Sequence, residues 1–112
     1  TGAQDIIRII NIMIERNIVF EQFDFQEVYH CDEHGKKIIL QRIRRDIKTA
    51  LNNLAHMCID YPENEIILEY ANNIFEYKNV HHEINYLEHR TNRGGQVSVK
   101  HFMNGLVQES TR

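Results

Sequence analysis

The chain has one proline, no tryptophan and two cysteines in 112 residues, and only 9% of it is aromatic. So little proline leaves few enforced breaks in helices. The cysteines, Cys31 and Cys58, are too few for a disulfide scaffold and lack Cys-x-x-Cys spacing, which predicts a reduced chain inside the cell, cytoplasmic or nuclear. Apolar runs are only a few residues long, so neither a signal peptide nor a membrane span is expected. The sequence also lacks a Gly-x-Ser-x-Gly elbow, a P-loop, a His-Glu-x-x-His pair and a dinucleotide fingerprint. The expectation is a protein that is not an enzyme and takes no cofactor. Sixteen acids against thirteen Lys and Arg give a net charge of -3, which excludes a protein that coats nucleic acid over its whole surface.

What the chain has in abundance is isoleucine, sixteen of them. The residue favours strands by intrinsic preference, but here its spacing is helical. Ile6, Ile9, Ile10 and Met13 recur by threes and fours after Asp5, and Ile39, Ile43, Ile47, Ala50, Leu54 and Met57 do so over a much longer stretch. Asp24 with Glu27 predicts a capped short helix ending near Gly35. Pro62 suits a first helical position, ahead of a face formed by Ile67, Tyr70, Ala71 and Ile74. Val80, Ile84 and Leu87 make a further stripe. Ser98 caps a last helix that carries Val99, Phe102 and Leu106, with Val97 and Phe102 as a hydrophobic staple. Strand signals are confined to Lys36–Leu40 and Gln96–Val99. The fold expected is all-α: a compact bundle of five to six helices with a long central helix (about 37–59) and a C-terminal helix-loop-helix. One helical domain covers 1–112. The start at Thr1 without Met and the polar end predict a fragment of a larger protein.

The charge is uneven. Residues 36–48 hold Lys36, Lys37, Arg42, Arg44, Arg45 and Lys48 against the single acid Asp46, whereas 1–35 and 51–88 carry seven acids each. On a helix these cations form a basic face, suited either to phosphates or to ion pairing with the chain's own acidic segments. Few aromatics interleave with them, so no platform to stack single-stranded bases is expected.

Three short segments resemble known families. His81-His82-Glu83 with Glu88-His89 resembles the His-His-Glu run of hemerythrin-like cation-binding domains. That resemblance implies inward ligands on further helices, for which His30, Cys31 and His34 are the candidates; the stripe Val80, Ile84, Leu87 turns His82 and His89 outward, so no metal is expected. Arg90–Phe102 resembles an EF-hand loop and the start of its exit helix, with Gly95 as the turn glycine, Val97 as the central residue and Ser98 as the cap. Arg90 and His101 stand where carboxylates would be required, which implies a metal-free loop or a plain Gly-Gly turn. Gly94-Gly95-Gln96 is similar to the tripeptide of release factors over those residues alone. A winged-helix reading would make Gly35-Lys36-Lys37 or Arg93-Gly94-Gly95 a wing, and it requires flanking strands.

The function expected from these features is a non-catalytic module that binds another protein or a second copy of itself, in an adaptor or regulatory role. Ile12, Met13, Phe20, Phe23 and Phe25 supply more apolar surface than one helix face needs, and form the hydrophobic interface expected. The alternative is nucleic-acid binding through Lys36, Lys37, Arg42, Arg44, Arg45 and Lys48. A metal-binding helical domain comes third, and no membrane partner is expected.

Overall fold

The computed structural model describes residues 1–111. Six α-helices and no strand occur among them. Helix α1 (Gly2–Arg16) starts earlier than Asp5, because Thr1 and Gln4 close a capping box on each other's backbone. Asn17 ends it in the left-handed region at φ 54°. The stretch 18–25, ambiguous in sequence, makes a single 3₁₀ turn at Phe20–Gln22 and then enters α2 (Phe25–Tyr29), capped by Asp24 as expected. Helix α2 stops at His30, well short of Gly35.

The physical reason for that early stop is a second cap. Asp32 accepts a hydrogen bond from the Gly35 amide at 2.8 Å and opens α3 (Glu33–Asp60), so Gly35 lies inside the long helix. A side chain at Gly35 would meet the Cβ of Cys31 at 2.8 Å, so the glycine lets the Cys31 corner close over the helix start. Helix α4 (Glu65–Phe75) is capped by Asn64, and Pro62 sits in the turn before it rather than at its first position. Helix α5 (Tyr77–Leu87) follows after Glu76, and α6 (Val99–Ser110) is capped by Ser98. The 88–98 connection makes no strand, so the wing reading has no flanking β structure to rest on.

Helix α3 is the spine, packed against α1, α4, α5 and α6. Its stripe Ile39, Ile43, Ile47, Leu51, Ala55 and Cys58 is buried throughout. Burial pushes the Cys58 thiol up from its usual range, and both cysteines are free. Phe23 and Phe25 meet edge to face at 4.9 Å, and Phe25 stacks on Tyr29 at 6.0 Å. This aromatic corner closes the core between α1 and the start of α3. The Asn104 carboxamide ties it to α6, accepting from the Phe20 amide and donating to Glu21 Oε1, both at 2.8 Å.

The expected hydrophobic interface is thereby corrected. Met13, Phe23 and Phe25 are 1%, 7% and 4% exposed, and Ile12 and Phe20 are half-buried against the same core. Most of their apolar area is spent inside the chain. Tyr70, expected on the inner face of its helix, points outward instead.

Asp5 is buried in the α1–α3 seam, where it accepts from Tyr29 Oη at 3.0 Å and from Arg42 Nη2 at 3.1 Å. Desolvation, and then the bond to Asp5, push the Tyr29 phenol up to about 12. Its folded value lies above the ordinary 10.0, so the bond contributes stability below pH 10 and that contribution is lost as the pH rises toward 12.

Candidate functional site

Helical spacing splits the six cations of α3. With Ile39, Ile43, Ile47 and Leu51 facing the core, Lys37, Gln41, Arg44 and Lys48 follow one another by fours and threes along one shoulder, and Arg45 lies next to them. Arg42 falls on the opposite shoulder, toward α1, where Asp5 neutralises it. Lys36 lies over the Phe25 ring, 5.5 Å from its centroid. The basic face is therefore Lys37, Arg44, Arg45 and Lys48, without Lys36 and Arg42.

The connection 88–98 lies along this shoulder and is fastened to it from several sides. Glu83 of α5 is only 3% exposed. One of its oxygens accepts from the Gly95 amide at 2.9 Å, and the other from Asn52 Nδ2 at 3.1 Å. A buried carboxylate costs several kcal/mol unless such donors meet it. Lys48 Nζ donates to the Gly95 carbonyl at 2.5 Å, and Arg44 Nη1 to the Val97 carbonyl at 3.0 Å. Asn79 accepts from the Gln96 amide at 3.2 Å and returns a bond to the Phe75 carbonyl.

This fastening requires a glycine at 95. A Cβ there would lie 2.2 Å from the Asn79 carbonyl oxygen and 3.0 Å from its carbon, both backbone atoms that cannot swing aside. Gly95→Ala is therefore expected to destabilise the fold by about 1 to 3 kcal/mol, since overpacking forces the backbone to shift. Urea denaturation followed by circular dichroism measures it. Wild-type stability in this variant would contradict the close approach.

Two open hollows flank the fastened loop. One, of about 600 Å³, is bounded by Gln41, Arg44, Arg45, Lys48, Thr49, Gln96 and Val97. The other, of about 550 Å³, is bounded by Lys78, Asn79, His82, Thr91, Asn92, Arg93, Gly94 and Gln96. Gln96 borders both. Neither wall contains an acid, and neither contains a Phe or Tyr ring. Lys37, Arg45, Lys78 and Arg93 form no ion pair with any described residue. A larger hollow, about 720 Å³, lies elsewhere, at the α3–α4 turn among Asp60, Tyr61, Glu63, Glu65 and Ile66. It gathers three acids and no cation, and so sets apart an acidic, apolar end of the molecule.

Lys78 carried no signal in the sequence, and His82, Glu83, Arg93 and Gln96 stood out only through resemblances that do not join them to the α3 cations. The EF-hand-like run 90–102, the Gly94-Gly95-Gln96 tripeptide and the Arg93-Gly94-Gly95 cluster all signalled that loop, but nothing local says that it meets residues 44–48. The histidine candidates do not converge: among the described residues no group of three or more His, Cys, Asp or Glu is placed to hold a metal ion. His30, His34, His81, His82 and His89 are exposed.

The profile of the YcbB domain matches residues 1–106. The chain belongs to the YcbB domain family. The match takes in α1 to α5, the fastened loop and most of α6, so both basic hollows lie within the YcbB domain proper. No curated protein sequence and no solved structure matches this YcbB domain. No described helix is long and apolar enough to cross a membrane.

Proposed function

We propose that this YcbB domain is a non-catalytic nucleic-acid-binding module. In this reading it grips the phosphates of duplex DNA between the α3 shoulder and the 91–97 loop. The observation that carries the proposal is the set of cations that the chain's own acids leave unpaired, in a protein whose net charge is negative. Had the basic face served only to dock the acidic segments, Arg44, Arg45 and Lys48 would meet carboxylates. Arg42 alone does so. Arg93 and Lys78 reach the same region from other elements, and multiple phosphate contacts of this kind supply most non-specific affinity. The His82 imidazole is the one ring that the walls offer, too little stacking surface for a single strand, which favours a duplex. Two free thiols accord with a reducing compartment within the cell.

Fluorescence anisotropy with a labelled random-sequence duplex of twenty base pairs, and with one of its strands, tests this directly. Micromolar binding that favours the duplex is expected. Equal or tighter binding of the single strand would refute the duplex preference.

A second reading, docking of another protein, is favoured by a different surface from the one expected in sequence. Ile66 is 79% exposed and Tyr61 is 61% exposed, beside Glu63 and Glu65 at the end of the molecule away from the cations. An adaptor or regulatory role, including self-association, would use that end. In light scattering of the isolated chain, a dimer that Ile66→Asp converts to monomer would support it.

A further inference from the structure

We infer that Gln96 is the residue through which this domain distinguishes base sequence. The inference rests on the nucleic-acid reading above and assigns the reader within that site.

The first ground is position. Gln96 is the one residue that borders both basic hollows, so it stands between the cations of α3 on one side and Lys78 and Arg93 on the other. A side chain between two phosphate-holding rows is where a base edge lies when the flanking rows hold the backbones.

The second ground is rigidity. The Gln96 amide donates to Asn79 Oδ1, the preceding carbonyl accepts from Lys48 and the following one from Arg44, and the Gly95 amide is held by buried Glu83. Four hydrogen bonds from α3 and α5 thus fix the backbone on both sides of one exposed residue. A reader must be held to within a fraction of an ångström to discriminate, and this backbone is so held.

The third ground is chemistry. The Gln96 carboxamide makes no hydrogen bond within the described chain, and glutamine matches the acceptor and donor pair of adenine in the major groove. The other carboxamides of the walls meet these conditions less well: Gln41 borders one hollow only, Asn92 lies where the loop is not fastened, and Asn79 is committed to the Gln96 amide and the Phe75 carbonyl.

The test is selection from a pool of duplexes with a randomised central segment, run with the wild-type chain, Gln96→Ala and Gln96→Glu. Wild type is expected to enrich adenine at one or two positions. Gln96→Ala should lose about tenfold or more of that preference while binding the unselected pool within about threefold of wild type, with the same salt dependence. Gln96→Glu should move the preference toward cytosine, whose amino group a carboxylate accepts from. Unchanged melting temperatures would confirm that both variants fold. A wild-type chain that binds the pool without any base preference overturns the Gln96 assignment and leaves the binding proposal standing, as does an adenine preference that survives Gln96→Ala. A wild-type chain that binds no duplex overturns both.

Discussion

Reversing Lys37, Arg45, Lys78 and Arg93 to glutamate is expected to abolish duplex binding while leaving the fold intact. None of these side chains is engaged within the described chain, so their replacement removes no internal bond. Each phosphate contact contributes nearly one unit to the slope of log K against log salt, so at 0.1 M salt the loss of four weakens binding by about a thousandfold or more. Arg44 and Lys48 are left in place deliberately, because they also hold the Val97 and Gly95 carbonyls. A control of equal charge separates local contact from general repulsion: Arg45→Glu with Arg93→Glu against Arg16→Glu with Lys100→Glu, the latter two being exposed on α1 and α6, with Arg16 engaged only in an exposed pair with Glu27. Only the first pair should weaken binding steeply. Equal losses from the two pairs would mean that net charge, and not this face, governs binding. Surface reversals away from partners cost little stability, so melting curves of the quadruple variant should stay close to wild type.

The second large effect concerns the aromatic corner. Phe25→Ala is expected to destabilise the fold by about 3 to 5 kcal/mol, as befits a buried aromatic whose cavity cannot collapse. Phe25 is 4% exposed and touches Phe20, Phe23, Tyr29 and the Lys36 ammonium, so its loss unseats α2 and loosens the start of α3 together. For a domain this size such a loss is a large fraction of total stability. If Phe25 were instead an interface residue, its truncation would leave the monomer's urea midpoint unchanged and lower only the affinity for a partner. Ile66→Ala supplies the contrast. At 79% exposed it should change stability by less than about 0.5 kcal/mol.

These two effects also mark what could be read from the residues alone. The helix faces were legible because burial follows period: Ile9, Ile10 and Met13, then Ile39, Ile43 and Ile47, all lie in the core as their spacing predicts. The caps at Asp24 and Ser98 were legible because a short polar side chain before an apolar run has few other uses. Asp32 was missed because Gly35 looked like a helix end, and only the packing of Cys31 against it shows why a glycine belongs within the first turn. Phe20, Phe23 and Phe25 looked like surplus because no periodicity assigns them to a helix face. A 3₁₀ turn and one short helix fold them beneath the bundle, which is a tertiary fact.

The site was legible only on its α3 side. The basic run stood out in composition, yet its division between Arg42 and the remainder depends on where α1 packs. Glu83 stands in sequence only as the acid of the His81-His82-Glu83 run; its burial comes with the Gly95 amide and Asn52 arriving from elsewhere in the chain. Gln96 stands out locally only in the Gly94-Gly95-Gln96 tripeptide and a weak strand signal, neither of which points to this site. Its position between two groups of cations exists only once the loop is fastened along the α3 shoulder.

The most direct test of binding through this face is the salt dependence of the wild-type chain on a random-sequence duplex. Lys37 and Arg45 lie exposed on the α3 shoulder, Lys78 and Arg93 line the second hollow, and four phosphate contacts give a slope of log K against log salt of about -3.6. A slope near that value, reduced by roughly one for each of Arg45, Lys78 and Arg93 replaced singly by alanine, is the expected result. A slope near zero, or one that those replacements leave unchanged, would contradict it.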